Sequence, residues 1–243
     1  MKINKTKKAS QVGFVLSFII FVVFVFFLFV IVQPSLKTGN SQNLPENTIN
    51  KIKTLALQNL TTVSVSLDKN NPKSCVELMD FFVNTGIGNK IVAHNDLENS
   101  LSLTISTSGN DLYIEKSSSD FFIKVYESEG FSQEDTGTVS GCEQFVEGSS
   151  GYTLGLIKTE EIVFASKIGT VFNNYALDYE GLKTQLGVPS GNEFGLGFQY
   201  GNGTTLSTQG PASNVNIYAY EIPVQYVNQN SNIESGFINV RTW

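Results

Sequence analysis

The chain has 243 residues, 41% apolar and only 16% charged, with 22 acidic against 16 basic side chains and a single His. One histidine removes multi-histidine metal centres and catalysis built on imidazole pairs. The acidic balance argues against a nucleic-acid partner, which needs clustered Lys and Arg to replace phosphate counterions.

Residues 1–11 form a basic leader carrying Lys2, Lys5, Lys7 and Lys8, and no charged residue follows until Lys37. Val12 to Val32 is a run of 21 residues broken only by Gly13 and Ser17. At 1.5 Å per residue it would extend about 31 Å, the thickness of a hydrocarbon core. The pattern predicts a transmembrane helix over residues 12–33. A cleavable secretory signal would have a shorter apolar stretch and a small-residue cleavage site, whereas Gln33 and Pro34 follow here. Positive charge before the span puts the N-terminus in the cytoplasm and everything from Pro34 onward outside the cell membrane. That exterior part holds 12 bases against 22 acids, a solvated domain rather than one that hugs an anionic bilayer. Within the span, Gly13 and Ser17 make a small-x-x-x-small pair and Phe14, Phe18 and Phe21 recur at i, i+4, i+7. Such a face can pack on another helix in lipid, although Phe is also simply compatible with lipid.

The string KTKKASQVGFVLSFIIFVVFVFFLFV resembles the archaeal class III signal of type IV pilin-like, membrane-anchored surface proteins. In that family a short basic leader is cut by a prepilin peptidase directly before a hydrophobic helix. The resemblance implies cleavage among Lys8, Ala9, Ser10 and Gln11, with Ser10 or Gln11 opening the mature chain. It also implies that the freed helix packs with the same helix of the chain itself or of other pilin-like subunits. The bacterial pattern has Glu five residues into the mature chain, and Phe14 or Val15 stands here instead. An uncleaved signal anchor in the lipid bilayer reads almost the same way.

Residues 34–60 read as a linker rich in Ser, Asn and Gln followed by a short helical stalk, with Ile49, Ile52, Ala56 and Leu60 on one face. Period-2 alternation at Val63, Val65 and Leu67 and again at Leu101, Leu103 and Ile105 predicts half-buried strands. Turn residues Ser108 to Asp111 lead to Leu112 and Ile114, then to Phe122–Val125. Further strands fit residues 76–83, 152–157, 194–200, 215–227 and 237–241, with Pro223 placing its strand at an edge or bulge. Ile168, Val171, Phe172, Tyr175, Tyr179, Leu182 and Leu186 predict one helix ended by Gly187 and Pro189, with Asp178, Glu180 and Lys183 on its solvated side. The expected fold is α+β: an N-terminal transmembrane helix followed by an antiparallel β-rich exported domain, residues 61–243, carrying one packed amphipathic helix.

Chemistry is sparse. Gly195 to Gly201 lacks the strand–loop–helix context of a phosphate loop, and no hydrolase or nucleotide-binding signature is present. His94 is expected at the surface of a strand-end turn. Glu127, Glu129, Glu134, Asp135, Glu143 and Glu147 could hold Ca²⁺ but lack ligand spacing and read as solvated. Asn228, Asn230, Asn232 and Glu234 alternate as in a calcium loop, yet without Asp they read as a hairpin. Cys75 and Cys142, both exterior, are expected to pair as a disulfide. Asn59 and Asn202 open N-x-Thr glycosylation patterns. With no catalytic constellation, no cofactor and no metal site, the expectation is a membrane-anchored structural subunit. The alternative is an anchored extracellular module binding a protein or glycan.

Overall fold

The computed structural model describes residues 13, 15–29, 43–69, 73–148, 150–212, 215–228 and 231–243. Residues 15–29 are helical (α1), and the large apolar side chains along them are 44–68% exposed. These residues rise about 22 Å, short of a hydrocarbon core of roughly 30 Å. Among the described residues no helix is long and apolar enough to cross a membrane. The expected transmembrane helix over 12–33 is thereby not borne out: the described residues show an exposed apolar helix over 15–29. Residues 12, 14 and 30–33 lie outside the described part.

The rest of the described residues are built on thirteen strands joined edge to edge. In chain order the elements are α2 (Leu44–Ala56), β1 (Leu57–Leu67), β2 (Cys75–Leu78), α3 (Phe81–Thr85), β3 (Ile91–Asn95), β4 (Ser100–Ser106), β5 (Leu112–Glu115) and β6 (Phe122–Glu127). Then come β7 (Thr136–Gly137), β8 (Glu143–Phe145), β9 (Tyr152–Phe164), α4 (Ala165–Leu177), α5 (Tyr179–Leu186), β10 (Phe194–Gln199), β11 (Thr205–Ser207), β12 (Tyr218–Val227) and β13 (Ile233–Thr242). Strand order is β11-β10-β13-β12-β9-β1-β6-β3-β4-β5-β2-β8, with β7 beside β4.

Two expectations about this domain change. The sheet is mixed rather than antiparallel, because β2–β8, β4–β7 and β9–β12 run parallel. The helical complement is also larger than one, since α2 packs in the same core as α4 and α5. The helix expected across Ile168–Leu186 is broken at Asp178, whose φ of −144° and ψ of 67° leave the helical region. Asp178 Oδ1 accepts from the Gly181 amide at 3.0 Å, capping α5. The 3.6 spacing survives the break because Ile168, Val171, Leu182 and Leu186 enter one core. Lys183, expected in solvent, is buried.

Among the described residues two large hydrophobic cores flank the β1–β9 seam, and a smaller cluster of Leu60, Tyr126, Ile162, Phe164 and Val227 lies on it. One joins α2, α4 and α5 to β10, β12 and β13 through residues such as Ile49, Ile168, Phe194, Phe198 and Val240. The other lies among β1–β6, α3 and the start of β9, with Phe81, Ile91, Ile114 and Tyr152 fully buried. Burial at alternate positions of β1 (Val63, Val65, Leu67) follows the alternation legible in the sequence. Cys75 and Cys142 are disulfide-bonded. Each stands one residue ahead of the parallel pair Val76↔Glu143, so the bond pins the three-residue edge strand β8.

Candidate functional site

A concave surface lies where the loop after β10 meets the β12–β13 hairpin. It is a groove of about 350 Å³ lined by Tyr200, Asn202, Thr204, Tyr226, Asn228 and Glu234, with Ala165 at the start of α4. Its floor is set by strand register, because Tyr226 and Glu234 are directly opposed in the β12–β13 ladder. Tyr226 is fully buried. Its hydroxyl donates to Glu234 Oε2 at 2.6 Å and accepts from the Gly201 amide at 3.1 Å. Asn228 Nδ2 donates to the other carboxylate oxygen, Oε1, at 2.6 Å. Burial, and then the hydrogen bond to Glu234, holds the Tyr226 phenol above its usual range. The Tyr226 ring meets Tyr200 and Phe198 edge-on, at centroid separations of 5.9 and 5.2 Å. Glycine at 236 is what admits this ring. A Cβ there would fall 2.5 Å from the Gln199 carbonyl oxygen and 3.0 Å from Tyr226 Cε1.

The Glu234 carboxylate engages two neutral donors, the Tyr226 hydroxyl and the Asn228 side-chain amide. Tyrosine, amide, hydroxyl and carboxylate groups together offer hydrogen bonds and ring surface to a neutral polyhydroxy or amide-bearing ligand.

The hairpin that closes the groove is the stretch whose Asn spacing resembled a calcium loop. Asn228 Oδ1 accepts from the Asn232 amide at 3.0 Å, and the Asn228 amide donates to Asn232 O at 2.9 Å, so Asn228 organises a turn. Asn230 lies outside the described residues. Among the described residues no group of three or more His, Cys, Asp or Glu could hold a metal ion. The acidic stretch from Glu127 to Glu147 is dispersed over β6, β8 and the loops between, with Glu129 ion-paired to Lys90 at 2.6 Å.

The remaining sequence candidates fall apart in space. Lys8, Ala9, Ser10, Gln11 and Phe14 lie outside the described residues. Gly13, Ser17, Phe18 and Phe21 are all exposed. Asn59 is exposed on β1, where its carbonyl accepts from Ser128 Oγ at 2.7 Å. Asn202 is exposed in the turn after β10, and its Oδ1 accepts from the Thr204 amide at 2.9 Å and from the Thr204 hydroxyl.

His94 departs from expectation. It does sit near a strand end, next to Asn95 at the close of β3, but it is 1% exposed. Neither ring nitrogen has a hydrogen-bond partner among the described residues. Its ring lies edge-on to Tyr126 at 5.5 Å, and Nδ1 is 3.7 Å from Glu98 Oε2. Burial lowers its pKa below the usual 6.5, against a weaker opposing pull from Glu98. The groove itself escaped a sequence reading because it depends on the register of β12 against β13. An Asn-rich turn between two strands was the available signal, since a hairpin there sets Tyr226 opposite Glu234.

No known protein family, curated protein or solved structure matches this chain.

Proposed function

We propose that this protein is a structural subunit of a surface assembly, pilin-like in plan, with a displayed β-rich domain and no catalytic role. The observation that carries the reading is α1. Its apolar side chains are exposed all round, and apolar surface of this extent on one helix calls for cover. The same helix in neighbouring copies, or lipid, supplies that cover, and the Gly13–Ser17 pair allows close approach of a second helix. The domain then faces the cell exterior. The Cys75–Cys142 disulfide supports an oxidising location for the domain. N-terminal sequencing of the native protein tests the reading. A mature start at Ser10 or Gln11 is expected for a subunit whose helix is released to assemble. Retention of residues 1–9, with no higher-order species in native extracts, overturns it in favour of a fixed anchor.

The groove at Tyr226 favours a second reading, an anchored module that binds a glycan or protein partner. On that reading Tyr200→Ala and Asn228→Ala weaken capture of the ligand while leaving the Cys75–Cys142 bond intact. Unchanged capture by both variants rejects the groove as the binding surface.

A further inference from the structure

β9 is thirteen residues long, but only one of its edges is used along most of its length. Residues 152–154 and 157–163 pair with β1, and a bulge at Gly155–Leu156 lies between the two runs. On the other side β12 touches β9 only at Val163 and Phe164, and the two strands then diverge. Pro223, which has no N–H to donate, lies in β12 just beyond the point where that ladder stops. The outer edge of β9 over residues 153–162 therefore lacks a ladder partner among the described residues. Residues 155–159 are exposed on both faces, with Leu156 at 70%. A long edge of this kind is a template for another strand.

We propose that this edge pairs antiparallel with the same edge of a second copy, about a two-fold axis through Thr159. The inference rests on the assembly reading and names a surface for it. The central Lys158-Thr-Glu160 of this edge is self-complementary in that register. Side chains alternate along a strand, so Lys158, Glu160 and Ile162 share one face. The two-fold places Lys158 opposite Glu160 of the second copy, twice, while Ile162 stays buried in its own chain. Opposite charges directly across a ladder are stabilising. Thr159 meets its own copy, another favourable cross-strand pair. Lys158 and Glu160 already lie 2.5 Å apart within one chain, so both charges are at hand for exchange with a partner. A contact of seven residues a side falls below the ~1,600 Å² of a standard interface. It works through the effective concentration that α1-mediated assembly provides. The isologous contact closes on itself and joins subunits two at a time.

Thr159→Cys in the full-length chain, held in detergent micelles and mildly oxidised, tests the register. Disulfide-linked dimers are expected, forming faster than from Thr205→Cys on the exposed edge strand β11. Adding Lys158→Glu should slow the cross-link about tenfold by setting like charges across the axis. The exchange Lys158→Glu with Glu160→Lys should restore it. The proposal is overturned if Thr159→Cys cross-links no faster than Thr205→Cys, or if the double exchange stays as slow as the single change. Hydrogen exchange on the unsubstituted chain provides a measurement free of folding effects. Protection of amides 156–162 must rise with protein concentration, and flat protection overturns the pairing. Sedimentation of the same samples separates the two ideas. Oligomers that persist in Lys158→Glu but vanish in Phe18→Ser/Phe21→Ser leave the assembly reading standing whatever happens at β9. A chain that is monomeric before any substitution removes the assembly reading and, with it, this one.

Discussion

Lys183 and Glu193 form an ion pair at 2.7 Å that ties α5 to the residue leading into β10. Glu193 also accepts from the Tyr179 hydroxyl, and its backbone exchanges two hydrogen bonds with Trp243, at 2.8 and 3.0 Å. One acidic residue thus joins a helix, a strand and the last residue of the sequence. The lysine side chain is 9% exposed and the glutamate 45%. Removing the glutamate strands a buried ammonium group, whereas removing the lysine leaves a carboxylate that water can reach. Glu193→Ala should cost about 1–2 kcal/mol and Lys183→Met less, measured as urea midpoints of the full-length chain.

Acid should loosen the same junction. Hydrogen bonds from Lys183, then Tyr179, hold the Glu193 carboxyl below its ordinary value. A depressed carboxylate contributes stability that is present above its unfolded pKa and is lost as pH falls through the folded one. The loss therefore belongs below about pH 4.5, and it should be absent in Glu193→Gln. Comparing the acid limbs of the two unfolding profiles checks this.

His94 acts in a separate window. Its folded pKa is lowered, chiefly by burial, so between the folded value and about 6.5 the unfolded chain binds more protons. Stability is full above about pH 6.5 and declines as pH drops below it. Lys124 and Tyr126 on the facing strand and Glu98 in the following turn surround the ring. With a single histidine in the chain, no other imidazole contributes. The decline below about pH 6.5 should flatten in His94→Leu, as read from urea midpoints on either side of that value.

The disulfide closes a separation of 67 residues. Chain entropy assigns such a cross-link about 4 kcal/mol. Cys75→Ser/Cys142→Ser should lower the thermal midpoint. Hydrogen exchange should then rise first in β8, which is three residues long and held beside β2. Loss of protection starting elsewhere would contradict this account.

The two glycosylation patterns are unequal in the folded chain. Asn202 lies in an exposed turn where Thr204 already approaches its side chain. Asn59 is held within β1, between β9 and the Ser128 contact. Enzymatic modification of folded protein should therefore reach Asn202 and spare Asn59, a difference that peptide mass spectrometry reads directly.

Much of the domain was legible because strand alternation is a local signal. Val63, Val65 and Leu67 read as the inward side of a half-buried strand, and all three are buried. The break at Asp178 was hidden because α4 and α5 feed the same core, so the apolar period runs straight through it. His94 was misplaced because Asn95 and Asp96 beside it suggest a turn, while its burial comes from Tyr126 on another strand. Parallel pairings such as β2–β8 join residues far apart in sequence and leave no local trace. The length of the N-terminal apolar run suggested a full membrane crossing, whereas the described helix spans residues 15–29. The groove could not be read at all without the register that opposes Tyr226 to Glu234.

The seam between β1 and β9 also imposes an order in time. β1 is among the first folded elements to be synthesised, yet its partner on one side ends at Phe164. Until that residue emerges, β1 can pair only with β6, and the core beneath α2 has neither its strands nor its other helices. Pairing over such separations is slow, so the nascent chain stays open along this seam until Phe164 is available, and β1 waits as a strand with one bare edge.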